Sequence, residues 1–174
     1  MTNEKIVVLM GSPRDLHFAS KIKEFLKTED FPVSCVYTVA SAHKTPEKLL
    51  NDMKTYEQSG DKLVYVTVAG LSDALSGVVA GTTLHPVIAC PPDSEKYGES
   101  KVFSSTAMPK GIPVAYVAKP ENAALVAVRI FAESNPELRK RLDSFKQKMT
   151  KAVYKSAEEV KKITQKKSVN RLAV

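Results

Sequence analysis

Three short segments of the chain combine small residues with groups that can bind an anion or move a proton. They are Gly11-Ser12-Pro13-Arg14-Asp15, Ala40-Ser41-Ala42-His43-Lys44 and Ala69-Gly70-Leu71-Ser72-Asp73. His43 is the residue best suited to catalysis, because an imidazole titrates near neutrality and can accept or return a proton. No second His, Cys or carboxylate stands at metal-ligand spacing from it, so no metal site is expected. Lys44 beside it can neutralise a phosphate or a carboxylate; a lysine that simply stays in water is the plainer alternative. His17 falls in a helical pattern and His85 precedes Pro86, so both read as surface or structural residues.

The first segment passes from an apolar run through Gly-Ser into a helical pattern. Unpaired N–H groups and the local dipole at such a helix start favour an anion, and a phosphate fits. Ser12 adds a hydroxyl donor, and Asp15 can accept from ribose hydroxyls. The alternatives are that Ser12 caps the helix and that Asp15 complements its dipole. The Gly-Lys-Ser/Thr of a P-loop and the glycine fingerprint of a dinucleotide fold are both missing. In the third segment Gly70 offers bare backbone and Ser72 a hydroxyl. A nucleophile elbow needs a second glycine after the serine, so Ser72 reads as a ligand binder or a helix cap.

These segments need a frame that brings them together. Apolar runs predict strands over Ile6–Met10, Val33–Val39, Leu63–Val68, Pro86–Cys90 and Val114–Val117. Helical spacing alternates with them: after Pro13, after Thr45-Pro46 with Thr45 as N-cap, over Leu71–Gly81 capped by Ser72 or Asp73, and over Pro120–Glu133. Residues 93–111 read as a polar loop with a short middle element. A long helix is expected over 136–167. This alternation predicts an α/β fold, a parallel sheet in three layers. Ligands of such sheets sit beyond the carboxyl ends of the strands, where all three segments fall.

The 174 residues suit one domain: an α/β core over 1–135, the helix 136–167 and a tail 168–174. With 43% hydrophobic and 26% charged residues, disorder, collagen and disulfide scaffolds are excluded as descriptions of the whole chain. Apolar runs are strand-sized, so no membrane partner is expected. Neither a signal nor a transit peptide is recognisable, and Cys35 and Cys90 read as reduced core thiols of a cytoplasmic protein. The net charge of +7 is concentrated at one end: residues 139–174 hold 12 basic and 3 acidic residues. A basic helix can bind nucleic acid. Here only Phe145 and Tyr154 could stack on bases, so a solvated face is the better reading and nucleic acid is not expected as a partner. The apolar stripe of that helix must be buried, either against its own domain or in a homo-oligomer.

Six motifs together resemble one family. They are Met10-Gly11-Ser12-Pro13-Arg14-Asp15, Ser41-Ala42-His43-Lys44-Thr45, Val68-Ala69-Gly70-Leu71-Ser72-Asp73-Ala74-Leu75-Ser76-Gly77, Ala89-Cys90-Pro91-Pro92, Met108-Pro109-Lys110-Gly111-Ile112-Pro113 and Asn122-Ala123-Ala124-Leu125. In order and spacing they are similar to the PurE family of purine biosynthesis. The resemblance implies a flavodoxin-like fold, with the last helix projecting from it, and a homo-octamer. One branch of the family moves a carboxylate from N5 to C4 of aminoimidazole ribonucleotide (AIR). The other, an ATP-independent carbon–carbon lyase, joins free CO2 to AIR to give 4-carboxy-AIR (CAIR). The mutase branch carries Ser-Ala-His-Arg and a Gly-Gly-Ala-Ala-His stretch. Here Lys44 stands for the arginine, and Ala69-Gly70-Leu71-Ser72 lacks the second histidine, as in the carboxylase branch.

The resemblance therefore implies a carboxylase that needs no cofactor, with the nucleotide and CO2 as its small-molecule partners. On this resemblance His43 should carry the proton at C4, and the Ser12 loop should bind the phosphate or ribose with Asp15 on a ribose hydroxyl. Ser41 and Lys44 should hold the phosphate or carboxylate side, and Gly70 and Ser72 should bind the base and CO2. Two positions depart from the carboxylase pattern: Leu71 stands where an arginine is usual and Arg14 where a serine is usual. Arg14 is then the candidate replacement charge. The competing readings are the mutase, a nucleotide-binding regulator without chemistry, and a nucleic-acid binder using the basic C-terminus.

Overall fold

A strand with apolar side chains on both faces has to run through the middle of a layered structure. β1 (Glu4–Met10) does so, with Ile6, Val7, Val8 and Leu9 all sealed from solvent. The computed structural model describes residues 4–92 and 94–171, without the side chains of 94–99 and 166–171. β1 is followed by a 3-10 turn over Pro13–Asp15, which runs into α1 (Leu16–Thr28). Next come β2 (Ser34–Val39), α2 (Pro46–Glu57), β3 (Lys62–Val68), α3 (Ala74–Thr82) and β4 (Val87–Ala89). α4 (Ser94–Thr106), β5 (Ala115–Tyr116), α5 (Pro120–Ala132) and α6 (Pro136–Arg171) complete the order.

The five strands form one parallel sheet in the order β2-β1-β3-β4-β5. This is the expected flavodoxin-like order, and the direction of winding reverses between β1 and β3. Alternate side chains of β1 divide the core. Ile6, Val8 and Met10 pack with Ile22, Leu26, Ala124, Val128 and Leu138 from α1, α5 and α6. Val7 and Leu9 pack with Leu49, Met53, Leu75 and Val79 from α2 and α3 on the other face. Burying each such large apolar side chain contributes roughly 1.5–3 kcal/mol before chain entropy is charged against it. Cys35 and Cys90 are buried and unpaired.

The strand register levels one rim of the sheet. Met10 lies beside both Val39 of β2 and Val68 of β3. The three chains therefore leave the sheet together. Gly11 N–H donates to Val68 O at 2.9 Å and Ala40 N–H to Met10 O at 3.0 Å, which holds the rim one residue further.

Several expectations are corrected in detail. Residues 93–111 are not mainly loop, since α4 occupies Ser94–Thr106. Its inward side chains include Lys101 and Ser105, both buried, so no apolar stripe advertises it. α3 begins at Ala74 rather than Leu71, and of the two expected caps Asp73 is the one that serves, accepting from Ser76 N–H at 3.1 Å. Thr45 does not cap α2 with its side chain. Its hydroxyl bonds back instead, accepting from Ser41 N–H at 2.9 Å. β5 is two residues long. α6 continues past 167 to Arg171, so the expected tail begins as helix, and 172–174 lie outside the described residues.

α6 is anchored at its start. Leu138 is fully buried, and the Phe145 ring meets Phe25 and Phe31 at centroid distances of 5.7 and 5.8 Å. Lys148 pairs with Glu29 at 2.7 Å. Beyond that, Met149, Val153, Val160 and Ile163 are 50–70% exposed along one side of the helix. Three turns of the helix thus fold onto the domain, as one of the two alternatives had it, and the rest projects from it. Among the described residues, no helix is long and apolar enough to cross a membrane.

Candidate active site

The level ends of β1, β2 and β3 open onto a cleft of about 920 Å³. All seven residues singled out from the sequence line it: Ser12, Asp15, Ser41, His43, Lys44, Gly70 and Ser72. Their positions follow from local structure. Ser12 stands in extended backbone and accepts from Arg14 N–H at 3.3 Å, so the cap reading of this serine is correct. Its place in the cleft leaves the hydroxyl proton available to a ligand. Asp15 is buried at the joint between the 3-10 turn and α1. Ser41 Oγ accepts from Lys44 N–H at 3.2 Å, and Thr45 N–H returns to Ser41 O at 2.9 Å. This closed turn packs Ala42 against the core and leaves the His43 and Lys44 side chains exposed.

The third wall is built differently. Gly70 lies over Asp15 and beside Pro92. Leu71 is 69% exposed. Asp73 Oδ2 accepts from Ser76 Oγ at 2.6 Å and from Ser105 Oγ at 2.7 Å, and Asp73 N–H donates to Ser104 Oγ at 2.8 Å. The buried Lys101 ammonium donates to Ala69 O and Leu71 O. α4 therefore grips this wall along its whole length.

Sequence reasoning missed part of the lining. His17, Phe18 and Lys21 belong to it, together with Arg14. His17 is thus not merely a surface residue. The four positions have the spacing i, i+3, i+4, i+7, which places them on one face of the helical run, and that spacing was the available signal. His85 is elsewhere: it lies before β4, at the opposite end of the sheet, 3.4 Å from Glu57. Among the described residues, Arg14, Lys21, Lys44 and two imidazoles line the cleft together with one carboxylate, Asp15. A site of this kind draws in an anion and focuses its field on it.

The family model described as AIR carboxylase matches residues 5–152. The chain belongs to the AIR carboxylase family. The likeness to PurE proteins read from the motifs is therefore correct. A phosphoribosylaminoimidazole carboxylase of Archaeoglobus fulgidus is 44% identical over 157 residues, which is 90% of this chain and 85% of that one. An N5-carboxyaminoimidazole ribonucleotide mutase of Methanocaldococcus jannaschii is 41% identical over 160 residues, covering 91% of this chain and 98% of that one. Among solved structures, Treponema denticola PurE superposes with a TM-score of 0.83 at 37% identity, over 88% of this chain and 96% of that one. Two AIR carboxylase family relatives of almost equal identity thus bear the names of two reactions. Overall similarity does not separate them, and the choice falls to the residues of the cleft.

Proposed function

We propose that this enzyme of purine biosynthesis carboxylates AIR with CO2 to give CAIR. The observation that carries the choice is the third wall: Ala69, Gly70, Leu71 and Ser72 present no titratable side chain to the cleft. A mutase of the branch described above has a histidine in the corresponding stretch. A carboxylase needs one proton carrier, and His43 serves.

The roles follow from the chemistry of each wall. Arg14, Lys21 and Lys44 supply cations for the 5′-phosphate, and Ser12 supplies a hydroxyl. Asp15 accepts from ribose hydroxyls. Ser41 stands with Lys44 on the phosphate or carboxylate side, and Gly70 and Ser72 face the base and CO2. The 5-amino group makes C4 of the imidazole nucleophilic, as in an enamine. C4 attacks the carbon of CO2, and one C=O electron pair moves onto oxygen. C4 is then tetrahedral, bearing the new carboxylate and its original hydrogen, while the ring carries positive charge. His43 takes that hydrogen as a proton, and the C–H electron pair restores the aromatic ring. AIR and CO2 become CAIR and one proton. Holding CO2 against C4 supplies proximity, with effective molarities of up to about 10⁵ M or more in favourable cases.

The specific support for the alternative, the mutase, is the Methanocaldococcus relative's name. One turnover assay separates the two. AIR with CO2 and without ATP is supplied in one arm, and freshly made N5-carboxy-AIR, with released CO2 trapped, in the other. CAIR formed from AIR at low bicarbonate is the expected result. CAIR formed efficiently only from the N5-carboxylated compound would establish the mutase instead.

We also infer a homo-oligomer, with the octamer of the family as its expected form. The exposed stripe Met149, Val153, Val160 and Ile163 supports it, because such a face on a projecting helix is stable once covered by another copy. Two buried free thiols accord with a reducing compartment, the cytoplasm.

A further inference from the structure

Lys101 is a charged residue where charge is costly. It is 3% exposed, belongs to α4, and is not among the residues lining the cleft. Its ammonium donates to the carbonyls of Ala69 and Leu71, which flank Gly70. Taking an ammonium out of water costs several kcal/mol unless its donors are satisfied, so the contact strongly fixes both carbonyls.

Peptide geometry carries this constraint into the cleft. The Ala69 carbonyl shares a planar trans peptide with Gly70 N–H, and the Leu71 carbonyl shares one with Ser72 N–H. In a trans peptide the C=O and N–H bonds point in opposite directions. Carbonyls turned toward Lys101 therefore turn the N–H groups of Gly70 and Ser72 away from it. Gly70 and Ser72 are the residues of this wall that line the cleft, with Leu71 between them. The ammonium also polarises both peptides, which strengthens their N–H groups as donors. Two such N–H groups close together form an anion-binding concavity without a side-chain cation.

We infer that Lys101 is a positioning residue: it holds Gly70 and Ser72 N–H toward the cleft as the pair that takes CO2 and the carboxylate formed from it. This rests on the reading of the cleft as a carboxy-transfer site. It also accounts for the exposed Leu71, where the carboxylase pattern has an arginine. The cation acts from behind the segment, through its peptides, rather than from the side chain at position 71. Ser104 and Ser105 secure the other end of the segment through Asp73, so the same helix fixes both ends.

The test uses two stable ligands, the ribonucleotide of imidazole-4-carboxylate and that of imidazole. Both lack the 5-amino group, so neither can exchange CO2 by the enamine route. Calorimetry gives the ratio of their affinities, which isolates the carboxylate. Lys101→Met is expected to lower that ratio by about tenfold or more, the loss of a hydrogen bond to a charged group, with the uncarboxylated ligand little changed. Lys101→Arg, which keeps the charge and several donors, should retain most of it. An unchanged ratio, or equal weakening of both ligands, overturns the positioning role. The wild-type protein answers independently of any variant's folding: Gly70 and Ser72 amide-proton resonances should move with the carboxylated ligand and not with its partner. Movement of neither amide overturns the inference. Failure of both ligands to bind would overturn the proposed function as well, whereas binding with an unaltered ratio leaves that function standing.

Discussion

Gly70 lies so close to the Asp15 carboxylate that a Cβ at position 70 would stand 3.2 Å from Asp15 Oδ1. The contact joins the wall built on β1 to the wall built on β3 across the point where the sheet reverses its winding. Gly70→Ala is therefore expected to push Asp15 off the ribose. A displacement of a fraction of an ångström at a positioning group lowers kcat/KM by about tenfold. Steady-state kinetics with AIR should show this loss mainly as a raised KM, with the thermal midpoint close to wild type. An unchanged KM would remove Asp15 from ribose recognition.

His43→Asn should leave nucleotide binding within a few-fold of wild type and cut turnover by at least ~100-fold, the low end for a general acid–base group. His43 is exposed on a closed turn, so its loss carries little structural cost. Loss of tritium from C4-labelled AIR gives a second readout. Near-normal exchange in the variant would exclude His43 as the proton carrier.

Lys44→Ala should weaken AIR binding by roughly tenfold, the value of one hydrogen bond to a charged partner. Raising the salt concentration should narrow the difference between variant and wild type, because the attraction between Lys44 and the phosphate is itself screened. Equal affinities at low salt would place the phosphate elsewhere in the cleft.

The two thiols give a pH dependence with a definite sign. Burial pushes Cys35 up to about 11, and burial with the nearby Glu121 pushes Cys90 up to about 12. The folded protein thus keeps both protons at a pH where the unfolded chain has lost them. Their stabilising contribution is complete below the ordinary thiol value of about 8.5 and is lost as the pH rises toward the folded values. Urea midpoints should fall between pH ~8.5 and ~10.5, and Cys90→Ala should flatten that slope. At pH 8 the folded protein should resist iodoacetamide at both positions; ready alkylation of Cys90 would contradict its burial.

Cutting the chain after Lys148 removes the exposed stripe while keeping Leu138 and the three-ring cluster around Phe145. The shortened protein should fold with an unchanged core and sediment as an assembly of fewer copies than the full chain. The same number of copies in both would mean that the stripe does not bind another copy.

How much of the fold and the cleft was legible in the sequence depends on what each element buries. β1 could be read because its side chains are apolar on both faces, and all seven chosen residues proved to share one cleft. α4 could not, because its inward residues Lys101 and Ser105 satisfy themselves on Ala69, Leu71 and Asp73, partners 30 or so residues away in the chain. Its role in the site was hidden for the same reason. His17 and Lys21 were missed because attention to strand ends stops before the first full helical turn. The N-cap assigned to Thr45 failed because Ser41 offers its hydroxyl a closer alternative in the turn. The exposed half of α6 follows from a stripe that the sequence displays, but which surface covers it is a property of the assembly, not of one chain.

The level register of Met10 with Val39 and Val68 also bears on how relatives of this chain can vary in length. One residue inserted within β2 would advance Ser41–Lys44 by about 3.3 Å and turn alternate side chains to the wrong face. The cleft would lose a wall that no movement of the others restores. The opposite end of the sheet has no such constraint, since the turns at Gly60 and at Thr83–Pro86 are not among the residues lining the cleft. Natural insertions and deletions should collect at that end, leaving the spacing from each strand to its wall invariant.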